Sequence, residues 1–251
     1  MNMWVKRKVR GIQSRTSADK SRANILKNEF LSESYIKIYR AMDTSKNEVN
    51  SILELGSAGG IAKFYNSRII TSDIRPAEGV DQLFSALELP FKSASMDQIW
   101  AKDVLHHLED PHKFFEEAKR VLKPGGSLSI AETYWGPIAK LIYKYLHPEI
   151  YNRSKIESGI FTHEGNQALA EVLFDSDSLQ FKVALEGLEE IHRELVNGPA
   201  WLLSGGATLS TPFPVSILKR IMEAEKKFQV LKPFWSLNIV VVFRKVALEK
   251  V

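Results

Sequence analysis

The residues with the clearest chemical potential lie in the stretch NSILELGSAGG, Asn50 to Gly60, where a carboxylate, Glu54, precedes Gly56, Gly59 and Gly60. A dinucleotide fingerprint needs G-x-G-x-x-G, so that a pyrophosphate can rest on backbone N–H groups at a helix start. Here the order is Glu54-x-Gly56-x-Ala58-x-Gly60, without that spacing. A carboxylate beside the first glycine repels a pyrophosphate and suits an ammonium group. Taken alone, the stretch reads equally as a buried strand followed by a structural turn.

Asp73 follows Glu54 by nineteen residues and ends the next strand-like run, Arg68 to Ser72. An acid at that place can accept hydrogen bonds from ribose hydroxyls. An amine plus a ribose, with no pyrophosphate, is the chemical profile of S-adenosylmethionine.

The elements that must position these residues follow from periodicity. Ala23 to Met42 spaces its apolar residues as an amphipathic helix, or as two helices broken near Ser32. Val49 to Leu55, Arg68 to Ser72, Asp97 to Lys102 and Ser127 to Ala131 read as strands. Asp110 as N-cap and Pro111 at the first helical position open a helix that KPGG, Lys123 to Gly126, stops. Strands alternating with helices predict a parallel sheet with helices on its faces, whose ligands lie at the strands' carboxyl ends.

From ILELGSAGG through TSDIRP, LPF and MDQIWAKDVLHHLEDPHKFFEEAKRVLKPGGSLSIAE, roughly residues 50 to 132, the chain resembles a class I S-adenosylmethionine-dependent methyltransferase of the small-molecule type. The resemblance implies a three-layer α/β sandwich, a doubly wound, mostly parallel seven-stranded sheet whose last strand, Ser236 to Arg244, is antiparallel and is preceded by Leu188 to Glu194. It implies cofactor contacts at Glu54, Gly56, Ser57, Ala58, Gly60, Asp73, Ile74, Ser85, Ala86 and Lys102. Among these, Glu54 meets the methionine amine, Asp73 the ribose and Ile74 the adenine. One departure is Ser85-Ala86, where the family commonly has Asp-Ala, so the usual carboxylate toward the adenine amino group is replaced by a hydroxyl.

Methyl transfer needs orientation of the acceptor, and an alcohol acceptor also needs a base. The candidates at strand ends or in the cover are His106 and His107 first, then Glu132, with Asp103, His147 and His163 behind them. Segments 133–186 and 195–232 are expected to be insertions that cover the substrate, including the loop Leu202 to Pro214.

The 251 residues contain no cysteine, which excludes disulfides, thiolate zinc sites and cysteine nucleophiles, and no metal site is expected. No apolar run approaches the roughly 20 residues of a membrane span. No secretory signal follows Lys6, Arg7, Lys8 and Arg10, so a cytoplasmic protein is expected. Residues 1–27 carry a charge of +7 and the remainder −3. The division expected is a basic arm over residues 1–22 and one methyltransferase domain over 23–251. The function expected is methyl transfer to a small-molecule, sugar or lipid-linked acceptor at oxygen. An RNA methyltransferase anchored by the arm is one alternative. A non-catalytic binding protein on the same fold is the other.

Overall fold

In the computed structural model, residues 15–45, 51–174, 179–207, 209 and 213–246 are described. Lys6, Arg7, Lys8 and Arg10 of the basic arm, Val49 and Asn50 of the first strand-like run, and part of the Leu202 to Pro214 loop lie outside them. A seven-stranded sheet in the order β3-β2-β1-β4-β5-β7-β6 forms the frame. Its strands are β1 (Ile52–Leu55), β2 (Ile70–Asp73), β3 (Gln82–Leu83), β4 (Met96–Lys102), β5 (Leu122–Thr133), β6 (Leu188–Val196) and β7 (Asn238–Lys245). Strands β1 to β5 pair in parallel, while β7 runs antiparallel to both β5 and β6. The chain leaves β1 in one direction to β2 and later returns to β4 on its other side, so the strand order reverses between β1 and β4. That reversal opens the crevice in which doubly wound sheets bind ligands.

Burial explains the sequence pattern of the strands. Ile52 to Leu55 is buried throughout, Glu54 included, because helices cover both faces. The Ile239 to Phe243 run is likewise buried at every position, which is why it shows no alternation. Two apolar clusters fill the two sides of the sheet. One contains Leu53, Leu55, Ile99, Phe114 and Phe115. The other contains Ile52, Trp100, Phe30, Ile38 and Tyr39.

The N-terminal helical region is two helices, α1 (Arg15–Lys27) and α2 (Glu29–Met42), and the break falls at Asn28, not Ser32. Asn28 is extended and its side chain accepts from Leu31 N at 3.3 Å, capping α2. Helix α1 takes in residues 15–22, the inner part of the expected arm. A one-turn helix α3 (Ala62–Tyr65) follows the glycine loop. Helix α4 (Pro111–Val121) starts as expected, with Asp110 accepting from Lys113 N at 2.9 Å and Pro111 at the first position. Strand β5 begins five residues before Ser127, because Leu122 already pairs with Met96 across a register shift that contains Lys123 to Gly126. The remaining helices are α5 (Pro137–Tyr145), α6 (Arg153–Glu157), α7 (Leu169–Phe174), α8 (Leu179–Leu185), α9 (Pro199–Leu203), α10 (Val215–Lys227) and α11 (Lys232–Trp235). Among the described residues no helix is long and apolar enough to cross a membrane.

Candidate active site

A cavity of about 620 Å³ opens at the carboxyl ends of β1, β2 and β4 and is lined on one side by α1. Each strand delivers a residue at or next to its end and the loop after it: Glu54 and Gly56 to Gly59 from β1, Asp73 and Ile74 from β2, Lys102 and Asp103 from β4. Phe84, Ser85 and Ala86 form another wall, and Ala18, Arg22 and Ile25 of α1 line it from above.

Glu54 is buried to 2 % exposure. Tyr39 donates its hydroxyl hydrogen to Oε1 at 2.9 Å, and Oε2 has no hydrogen-bond partner among the described residues. Burial pushes this carboxyl up from its ordinary range, and the hydroxyls of Ser57 and Tyr39 and the Lys102 ammonium only partly offset it. A buried carboxylate oxygen without a donor is costly, so the site is built for a donor that arrives from the cleft.

The glycine loop is shaped for close approach. Gly56 has φ +65°, and a Cβ there would lie 2.3 Å from Val104 Cγ2. Ala58 holds φ +48° because its N–H donates to Asp73 Oδ2 at 3.0 Å. Ser57 Oγ donates to Glu54 O and accepts from Ser72 N, stitching β1 to β2. Gly60 is not among the residues lining the cavity. Its φ is +60° and a Cβ would come 2.1 Å from the Gly79 carbonyl oxygen, so it serves the packing of loop on loop.

Asp73 also accepts from Arg75 N at 3.0 Å through Oδ1, which fixes its carboxylate at the rim with lone pairs still free on both oxygens. Ile74 is 64 % exposed beside it, a flat apolar surface at the mouth. Ser85 Oγ accepts from Leu87 N at 3.1 Å and keeps its own hydrogen to donate. Ala86 is buried behind it. Lys102 Nζ pairs with Asp103 and lies 4.6 Å from the centre of the Tyr35 ring. Burial opposes its charge, but Asp103 and Tyr35 outweigh burial and hold its pKa above the usual lysine range.

Of the three first candidates for acceptor chemistry, only His107 lines the cavity. His106 and Glu132 are buried behind it, at 6 % and 1 % exposure. Glu132 Oε1 accepts from Val104 N at 3.0 Å and Leu105 N at 2.8 Å, and Oε2 meets His106 Nδ1 at 2.7 Å. Burial lowers the affinity of His106 for a second proton, yet Glu132 and Glu149 together raise its pKa well above the ordinary histidine value. His107 is shifted the other way, by burial first and the neighbouring His106 second.

Glu149 also lines the cavity, carries no motif signal and joins this group from a distant part of the chain. Its Oε2 lies 3.4 Å from His106 Nε2 and its Oε1 3.7 Å from His107 Nε2. Burial raises its carboxyl, but the hydrogen bond and charge of His106, then His107 and His147, hold it down at about 2. His147 accepts from Glu149 N at 3.3 Å, and the exposed His163 pairs its ring with Glu109. Asp103 has φ +54° and lines the mouth.

This geometry agrees with what the chain resembles. Residues 29–130 match the family described as a methyltransferase domain. Over 47 residues the chain is 45 % identical to 27-O-demethylrifamycin SV methyltransferase of Amycolatopsis mediterranei, covering 19 % of this chain and 17 % of that protein. Over 119 residues it is 30 % identical to demethylmenaquinone methyltransferase of Renibacterium salmoninarum, covering 45 % and 49 %. The chain thus spans less than half the length of each. Geranyl diphosphate C-methyltransferase from Streptomyces coelicolor shares the fold, with a TM-score of 0.52 at 15 % identity over 84 % of this chain and 77 % of that one. Residues 29–130 are thus similar to a methyltransferase domain, and the sheet order with an antiparallel β7 is the Rossmann-like methyltransferase fold.

Proposed function

We propose that this protein moves a methyl group from S-adenosylmethionine to an oxygen of a small-molecule, sugar or lipid-linked acceptor. The observation that carries the reading is the buried Glu54 Oε2, which lacks a hydrogen-bond donor among the described residues. S-adenosylmethionine supplies an electrophilic methyl on a sulfonium and, at its other end, the amine that such an oxygen requires.

The chain's own residues then divide the work. Glu54 receives the amine, and Tyr39 keeps the carboxylate pointed at it. Gly56 and Ala58 line the cleft where the methionine portion lies. Asp73, held by two backbone N–H groups, grips the ribose hydroxyls. Ile74 packs on the adenine, and Ser85 with Ala86 edges it. Lys102 offers its ammonium to the negative side of the cleft. The edge formed by His107 and Glu149 is where the acceptor oxygen is held, with His106 and Glu132 as positioning residues behind it.

Two matched relatives are named as methyltransferases of small molecules, which supports an acceptor of that class. The test is calorimetry with S-adenosylhomocysteine, followed by incubation with methyl-labelled cofactor and an acceptor panel rich in hydroxyls. Binding of S-adenosylhomocysteine and label in an ether bond are expected. Binding of NAD in its place would sink the proposal.

A further inference from the structure

The two adjacent histidines and Glu149 meet in a way that hydrogen bonding within the protein leaves incomplete. Glu132 can only accept, and it takes His106 at Nδ1, so that nitrogen carries the hydrogen. His107 Nδ1 lies 3.3 Å from the backbone carbonyl oxygen of His163, which also only accepts. Each ring in its neutral form therefore aims an Nε2 lone pair away from its anchor. Both lone pairs face the Glu149 carboxylate, at 3.4 Å and 3.7 Å. With both rings neutral, acceptor faces acceptor; a proton on His106 turns its contact into a hydrogen bond and leaves the His107 contact without a donor.

A proton can bridge one of these contacts. A second proton would make cations of two rings whose centroids are 4.2 Å apart, and like charges so close repel strongly. One divalent ion in the gap satisfies all three donor atoms at once, and those atoms lie within 4.8 Å of one another.

We propose that His106 Nε2, His107 Nε2 and Glu149 bind a divalent first-row transition-metal cation at the wall of the cleft. The surroundings are those of a metal site. Metal-ligating histidines characteristically donate their other N–H to a carboxylate or a backbone carbonyl, and here there is one of each. Gln167 Nε2 donates to Glu149 Oε2, fixing the carboxylate. The segment that brings Gly165 up to the ligands tolerates no side chain: at φ +88° a Cβ would stand 2.9 Å from the His107 ring and 3.2 Å from Glu149 Cδ.

Two imidazoles and one carboxylate on one side of the ion leave its other side open. His107 and Glu149 line the cavity, so the open side faces the cleft. The ion would there take an oxygen of the acceptor as a further ligand. That last role rests on the methyl-transfer reading; the binding of the cation does not.

The test is titration of the full chain, stripped with a chelator, with Co2+, read by visible absorption and calorimetry. One Co2+ per chain is expected. His107→Ala and Glu149→Gln should each weaken it more than roughly tenfold, and Glu132→Gln by roughly 10- to 100-fold. His192→Ala, which removes a surface histidine on β6, should leave it unchanged. Folding is checked in each variant by circular dichroism, and S-adenosylhomocysteine affinity is measured on the same samples. Absence of Co2+ binding by the folded chain overturns the proposal, as does binding that His107→Ala and Glu149→Gln leave intact. Co2+ bound at these residues without S-adenosylhomocysteine binding upholds the metal site and removes the methyltransferase reading instead.

Discussion

Tyr39 and Glu54 are joined by a 2.9 Å hydrogen bond that satisfies one carboxylate oxygen and leaves the other buried without a donor. Tyr39 comes from α2 and Glu54 from β1, so the contact ties the N-terminal helices to the floor of the cleft. Such an arrangement trades stability of the empty protein for readiness to bind a cation.

The trade sets a first prediction. Burial raises the Glu54 carboxyl above its unfolded value, so over the window between the two values the folded chain holds more protons than the unfolded one. Stability contributed by this group therefore falls as pH rises from about 4.5 through the raised folded value. Glu54→Gln should flatten that fall and raise the melting temperature of the ligand-free protein at pH 8. The same substitution should weaken S-adenosylhomocysteine by about 1.5–3 kcal/mol, the worth of a hydrogen bond to a charged group. Paired thermal melts and calorimetry check both signs.

Two glycines of positive φ should respond differently to alanine. Gly60→Ala brings a Cβ to 2.1 Å from the Gly79 carbonyl, whereas Gly125→Ala, at φ +76°, meets nothing within 4 Å. Gly125→Ala should cost only the conformational penalty of about 1–2 kcal/mol. Gly60→Ala should cost more, because backbone must move, and should also weaken the cofactor through the displaced loop. Urea denaturation of the two variants gives the comparison.

Much of the fold and part of the site were legible in the sequence. Glu54, the glycines, Asp73 and Lys102 all sit at strand ends, and strand ends are marked by local signals: a β-branched or apolar run that stops at a glycine or an acid. The capped helix after Asp110 was legible for the same reason. Less visible were features made by tertiary contact. The break in the N-terminal helices falls at Asn28 because its side chain caps α2, and periodicity alone does not distinguish that from a break at Ser32. Strand β3 has two residues, too few to show a pattern. Glu149 and Gly165 lie far along the chain, in the expected insertion 133–186, where nothing in the spacing of residues announces that they close on the two histidines. For the same reason His106 and His107 looked equivalent in sequence, although one is sealed behind the other.

Helix α1 supplies a further prediction. Arg22 donates to the Gly59 carbonyl oxygen, lies 3.4 Å from Glu78 Oε1 and stacks over Phe64 with its carbon 4.8 Å from the ring centre. One side chain thus pins the helix to the glycine loop. Arg22→Ala should accelerate release of S-adenosylhomocysteine by about tenfold, equivalent to about 1.4 kcal/mol, with less change in the association rate. Stopped-flow displacement measures it, and an unchanged release rate would show that α1 does not hold the cleft closed.

The last prediction separates the cofactor half of the cleft from the acceptor half. His107 lines the cavity, and among the described residues the partners of its side chain are His163 O, Glu149 and the His106 ring, none of them Glu54, Asp73 or part of the glycine loop. His107→Ala should therefore leave S-adenosylhomocysteine affinity within about twofold, since sites without shared partners are close to additive. Methyl transfer should fall by about 10²- to 10⁴-fold, the usual loss when a group that holds and activates the acceptor is deleted. Asp73→Asn should do the reverse in kind, weakening the cofactor with a smaller effect on turnover at saturating cofactor. If His107→Ala instead lost cofactor and activity together, the two halves would be one coupled surface, and the placing of the acceptor at the His107–Glu149 edge would fall.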